Sequence, residues 1–202
     1  MPDVQPKKNL AKVIPYILII CGAIILVASL LLSIDNIKIL QNPSYKPICD
    51  LNPVVSCGDV IQAKQGKAFG FPNPYIGLFA GGVLMTTGAA MFAGGKFKRW
   101  YWLGMELGTL FGMGFIGWLF YQSLYDIHDL CPYCLTVWVA TIITFWYVTL
   151  FNIDQKNIIL PTYLNKPYTW IRKHHADIIV LFFILLAAFI LHHFWYYYGK
   201  HL

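Results

Sequence analysis

Five apolar runs separated by polar segments divide the chain. The first extends from Val13 to Ile34, long enough for a bilayer, which needs about 20 residues. A cleavable signal peptide is its competing reading. Such a peptide has an apolar core of about 7–15 residues and a small-x-small site after it. Neither feature is present, so the pattern predicts a retained first helix with Pro15 in its first turn. The second run, Pro74 to Ala93, is rich in Gly and Ala. The third is Trp102 to Gln122, the fourth Pro132 to Phe151 and the fifth Asp177 to Tyr198, closing on Trp195, Tyr196, Tyr197 and Tyr198. The predicted class is an all-α integral membrane protein, with residues 1–202 as a single membrane domain.

The segments between the runs carry the local signals. Residues 35–73 form the longest polar stretch and hold Cys49 and Cys57, seven residues intervening. Ser56-Cys57-Gly58-Asp59 has the form of a capping box, which predicts a short helix from Cys57 to Gln65 ended by Gly66. Two prolines bracket Asn73 and limit its freedom. Gly94 to Arg99 reads as a basic loop, and Trp100, Tyr101 and Trp102 as an aromatic belt. Gly104, Gly108 and Gly112 have the spacing that allows close helix approach. Tyr125 to Asp129 is an acidic turn, and residues 152–176 are polar and basic.

Composition narrows the class. The chain is 58% hydrophobic and 12% charged, where a soluble domain is nearer 25% charged, so water-soluble readings drop out. The net charge of +6 is then a topological signal and not a nucleic-acid footprint, because basic residues mark the cytoplasmic side. With the N-terminus inside, the inner segments hold ten Lys and Arg residues and the outer segments five. That asymmetry predicts five spans with the C-terminus outside. It also puts Cys49, Cys57, Cys131 and Cys134 on one outer face, and an oxidising compartment there permits cysteines to pair.

The segment Asp129-Leu130-Cys131-Pro132-Tyr133-Cys134-Leu135 carries the candidate chemistry. Pro132 suits the first helical position, which makes Cys131 the N-cap and Cys134 the third residue of the fourth helix. The positive helix end favours thiolate over thiol, by about 0.3–1 kcal/mol. Two dithiols on one oxidising face suggest a relay of thiol–disulfide exchanges, with a lipid-soluble acceptor such as a quinone at the helix end. Other readings stay open. Four cysteines could bind zinc, and Cys49 and Cys57 could form a static disulfide in a membrane scaffold. Haem attachment needs a His after the second cysteine, and Leu135 stands there. Asn73 could be a turn residue and Trp138 a packing residue. Cys21 reads as a small apolar residue. Glu106 is the acid well inside a span, with a packed or snorkelling role near the cytoplasmic end. His128 reads as an exposed loop residue, and His192 and His193 as interfacial.

Taken in order, Cys49-Asp50, Ser56-Cys57, Asn73 with Gly77, and Cys131-x-x-Cys134 resemble the vitamin K epoxide reductase family, above all its bacterial quinone-dependent thiol oxidases. The likeness covers residues 13–151. It implies a four-helix bundle core with an added fifth transmembrane helix. A DsbB-type oxidase has similar chemistry, but its CxxC pair comes first. The resemblance implies that Cys134 lies next to the quinone, ubiquinone or menaquinone, and that Cys131 exchanges with Cys57. Cys49, paired with Cys57 in one state, faces a thioredoxin-like (DsbA-like) periplasmic protein. Asn73 hydrogen-bonds a quinone carbonyl. Trp138 stands where vertebrate members carry a quinone-contacting tyrosine, and gives no reason to expect vertebrate-like anticoagulant binding. The implied setting is the bacterial inner membrane with a periplasmic active site. The chain ends soon after the fifth run, so the thiol partner is expected to be a separate protein. No metal and no nucleic acid are expected.

Overall fold

The computed structural model describes residues 7–195, which form helices and turns with no strand among them. The chain divides into two compact units, Met1–Asn157 and Ile158–Leu202. The first contains α1 (Lys7–Gln41), α2 (Cys57–Gln62), α3 (Pro74–Phe92), α4 (Arg99–Gln122) and α5 (Pro132–Asp154). The second contains α6 (Asn165–Lys173) and α7 (His175–His193). α1, α3, α4, α5 and α7 are each long and apolar enough to cross a membrane. The protein is therefore an all-α, multi-pass integral membrane protein. Tyr196, Tyr197 and Tyr198, assigned to the fifth run, lie outside the described residues.

α1 exceeds its predicted length at both ends. Its 35 residues span about 52 Å at 1.5 Å per residue, against about 30 Å of hydrocarbon. Pro15 is consequently inside the helix and not in its first turn. At the other end, residues 35–41 are helical where a loop was expected. Tertiary contacts hold them: Ile39 is buried with Leu32 in the cluster that also contains Cys49, Cys57, Ile61 and Cys131. The Tyr45 hydroxyl donates to Asp35 Oδ1 at 2.9 Å, so one of the polar residues that looked like the end of a span is satisfied within the protein.

α1 packs along α3 and α5, and α4 packs on α5. Apolar lipid tails give no hydrophobic drive for helices to pair, so close backbone approach and dispersion must do so. Small residues at the α1–α3 seam provide that approach. A Cβ on Gly81 would sit 2.8 Å from the Gly22 carbonyl oxygen, and one on Gly88 2.8 Å from the Pro15 carbonyl oxygen. The Gly104-Gly108-Gly112 spacing does not serve this purpose. Added Cβ atoms at Gly104 and Gly108 meet nothing within 4 Å, and only Gly112 is close to a neighbour, Thr141 Cγ2 at 3.2 Å. Trp102, assigned to the aromatic belt, is instead buried against Phe151, ring centroids 4.3 Å apart.

Glu106 is packed between α4 and α5, as its position in the span suggested. Its carboxylate accepts from Thr149 Oγ1 at 2.7 Å and from Asn152 Nδ2 at 2.9 Å. Asn152 also donates to the Trp102 carbonyl at 3.1 Å and accepts from Asn157 Nδ2 at 3.0 Å. Arg99 Nε donates to the Asn157 carbonyl at 2.9 Å. Interhelical hydrogen bonds in membranes average only about 0.6 kcal/mol. The network therefore sets the register of α4 on α5 more than it supplies their affinity.

Candidate functional site

The two cysteine pairs meet because their flanking backbones are zipped together. Ser56 N–H donates to the Leu130 carbonyl at 3.1 Å, and Leu130 N–H donates to the Val54 carbonyl at 2.8 Å. This places Val55 beside Leu130 in a parallel bridge. Each chain then continues into a helix, α2 from Cys57 and α5 from Pro132. The consequence is a Cys57–Cys131 sulfur separation of 3.3 Å. Cys57 and Cys131 are fully or almost fully buried, Cys49 is buried and Cys134 is partly exposed. Cys49 and Cys57 form a disulfide, whereas Cys131 and Cys134 are free thiols. A thiol thus sits in contact with a disulfide sulfur, the arrangement from which exchange proceeds.

Local caps hold each sulfur. Ser56 is the N-cap of α2, its Oγ accepting from Asp59 N–H at 3.1 Å. α2 stops at Gln62, short of the expected Gln65, and Gly66 lies in the 3₁₀ turn Lys64–Lys67 instead of ending the helix. Asp50 adds a second cap that sequence reading did not assign. Its Oδ1 accepts from Cys57 N–H at 2.8 Å, Gly58 N–H at 2.9 Å and Ser56 Oγ at 3.2 Å. Gly58 makes room for it, since a Cβ there would be 2.8 Å from Asp50 Oδ2. A carboxylate on the residue after the first cysteine was the available signal; the fold was needed to aim it at α2. Cys131 is the N-cap of α5, as expected, and its sulfur accepts from Cys134 N–H at 3.3 Å. Pro132 occupies the first helical turn.

Two further positions face outward. Cys49 is buried, but its neighbours Ile48 and Leu51 are strongly exposed. His128 is exposed, adopts a left-handed backbone (φ 64°), and lies with Nδ1 3.2 Å from the Asp126 carbonyl.

Beside the sulfurs is a cavity of about 100 Å³ lined by Asn73, Cys134, Trp138, Ser29, Asn36 and Ser123 together with aliphatic side chains. That is several times the space one water needs, and somewhat below the ~150 Å³ of an engineered cavity that takes benzene. Trp138 is buried, edge-on to Phe120 with centroids 5.7 Å apart. Asn73 is the residue before α3. Its Nδ2 donates to the Gln65 carbonyl at 2.6 Å and its Oδ1 accepts from Ala68 N–H at 3.1 Å. A carboxamide carries two N–H donors, so one remains beyond this turn-holding role.

Asp129, between the spans and next to the zipped Leu130, has its pKa raised, first by burial and then by the charges of Asp59 and Asp50, against an opposing His128. A carboxyl raised by folding favours the protonated folded state. Its stabilising contribution is complete below the unfolded value and is lost as pH rises through the folded one. Asp129→Asn is therefore expected to raise the apparent Tm at pH 7 and to leave it unchanged near pH 3. Thermal unfolding of both proteins across that range checks this.

Residues 16–149 match the family model described as "Vitamin K epoxide reductase family". No curated protein matches the chain.

Proposed function

Because the chain belongs to the vitamin K epoxide reductase family and is thus a membrane oxidoreductase, we propose that it oxidises the dithiol of a thioredoxin-like protein and passes the electron pair to a membrane quinone. The single observation that carries this is the 3.3 Å approach of Cys131 to the disulfide-bonded Cys57, beside a cavity that Cys134 lines.

The steps balance. A partner thiolate attacks Cys49, forming a mixed disulfide and freeing Cys57. The partner's second thiol resolves it and leaves with its own disulfide, so Cys49 and Cys57 are reduced. Cys57 then attacks Cys131 of a Cys131–Cys134 disulfide, and Cys134 departs as thiolate. Cys49 attacks Cys57 and releases Cys131. The outer pair is again a disulfide and the inner pair a dithiol, which is the redox state described above. A quinone, when bound, takes up two electrons and two protons to become hydroquinone, and Cys131 and Cys134 re-form their disulfide. At the amino end of α5 the Cys134 N–H donates to Cys131 Sγ and holds that sulfur against Cys57. Asn73 offers its remaining amide hydrogen to the acceptor, and Trp138 walls the ring.

For the partner to reach Cys49, the segment carrying it must open, and the exposed Ile48 and Leu51 give that partner an apolar footing. The charge asymmetry supports an inside N-terminus and a periplasmic site in the bacterial inner membrane. Residues 1–202 are read as one membrane domain. The test is anaerobic mixing of the purified protein with a reduced thioredoxin-like protein and a soluble quinone. One quinone is expected to be reduced per partner dithiol oxidised. Partner oxidation with no loss of quinone absorbance overturns the acceptor assignment, and absence of both overturns the reading.

A further inference from the structure

Among the described buried serine, threonine, asparagine and aspartate residues, those whose side chains make no hydrogen bond all line the cavity; away from it, the Trp146 indole N–H is buried without a partner. The other buried residues of these four types are satisfied. Ser33 bonds the Ser29 carbonyl, Asp35 accepts from Tyr45, Ser56 bonds Asp50, and Thr144 bonds the Ala140 carbonyl. Asn152 and Asn157 satisfy each other and their neighbours. Thr87 and Thr109 bond carbonyls of their own helices. The exceptions are Ser29, Asn36 and Ser123, with relative exposures of 2%, 3% and 4%, and all three line the cavity with Cys134. Buried polar side chains are nearly always hydrogen-bonded. Three exceptions converging on one cavity mark it as a place where something polar is received.

The positions are specific. Ser29, Leu32 and Asn36 are spaced to share one face of α1, and Asn36 belongs to the helical extension past the predicted end of the first span. Ser29 lies against Gly77 of α3, where a Cβ would collide with its hydroxyl, so packing accounts for it in part. Ser123 opens the π-helical turn Ser123–Ile127 that continues α4, and such turns re-aim side chains at functional sites. Asn36 and Ser123 have no comparable packing role.

We propose that Asn36 and Ser123 are the polar recognition pair for the head group of the membrane quinone, binding its oxygens in both redox states. This rests on the quinone reading above. A quinone oxygen only accepts hydrogen bonds, whereas the hydroquinone hydroxyl also donates. Asn36 supplies an N–H₂ or, by amide rotation, a carbonyl, and the Ser123 hydroxyl donates or accepts by turning. The pair thus follows the change of the ligand from acceptor to donor with no backbone movement. An ionised carboxylate could serve only the reduced form and an ammonium group only an acceptor.

The test is direct binding to the full-length protein in detergent, followed by quenching of tryptophan fluorescence. A short-chain ubiquinone is titrated into fully oxidised protein, and its hydroquinone, anaerobically, into fully reduced protein, so no electrons move. Asn36→Leu is expected to raise Kd about tenfold for both forms. Asn36→Asp is expected to weaken the quinone more than the hydroquinone, and Ser123→Ala to weaken both less than Asn36→Leu. Unchanged Kd values in these variants, with wild-type binding intact, overturn the proposal and leave the quinone reading standing; the polar groups are then met by water. Failure of the wild type to bind either form overturns both. If Asn36→Leu does not purify as a folded protein, Ser123→Ala decides by the same criterion.

Discussion

Replacement of Cys131 by serine is expected to reduce steady-state quinone reduction on the order of 10³-fold or more, the scale on which loss of a reacting nucleophile is felt. A burst of one equivalent should survive it. The Cys49–Cys57 disulfide remains in the variant and can oxidise one partner dithiol. The freed Cys57 then faces a hydroxyl where a disulfide sulfur should be, and the electron pair has no onward path. Serine keeps the N-cap of α5, since its oxygen can accept from residue 134 N–H as the sulfur does now at 3.3 Å. Loss of turnover is therefore not a folding effect. Counting partner disulfides formed per protein, with alkylation of the three remaining site cysteines, separates the outcomes. One equivalent followed by arrest supports the relay. No equivalent makes the Cys49–Cys57 bond a static staple. Continued turnover means that Cys57 discharges somewhere else.

Asp50→Ala is expected to have the next largest effect. It removes the acceptor from Ser56 Oγ and from the first two N–H groups of α2. Hydrogen bonds to a charged partner contribute about 1.5–3 kcal/mol each, and a helix cap about 1–2 kcal/mol. Water recovers part of this because the segment is only part-buried, so a net loss of about 2–4 kcal/mol is expected, confined to residues 50–62. α2 then frays, Cys57 leaves its place against Cys131, and turnover falls at least about tenfold. Asp50→Asn keeps an acceptor oxygen without the charge and should recover part of the activity. Amide exchange of residues 57–62, followed alongside turnover, checks the cause: exchange should speed up in step with the loss of rate. Normal turnover with fast exchange means that α2 does not position Cys57.

The legible parts of this protein were those written in neighbouring residues. Runs of apolar side chains declared the spans, because a backbone in lipid must satisfy its own hydrogen bonds and a helix does so locally. Pro132 after Cys131 announced the start of α5, and Ser56 before Cys57 that of α2, since caps act within three or four residues. Where such reading failed, a distant partner was responsible. Asp35 and Asn36 looked like the end of a span, yet Tyr45 and the buried cysteine cluster keep α1 helical to Gln41. The three glycines of α4 had the spacing of a packing seam, but the seam is built from Gly22, Gly81 and Gly88. Spacing describes one helix, and a seam depends on which faces of two helices meet.

By itself, then, the sequence determined the class, the spans, the caps beside the sulfurs and the family likeness, all from short-range physics and ordered motifs. The likeness already implied exchange between Cys131 and Cys57; tertiary structure alone decided their 3.3 Å approach, that Asp50 caps α2, and that Asn36 and Ser123 line the cavity beside Cys134. Those contacts are carried by backbone bonds between residues 54–56 and 130 and by helix faces brought together from separate spans. Nothing in the local order of residues encodes such a meeting until the chain has folded.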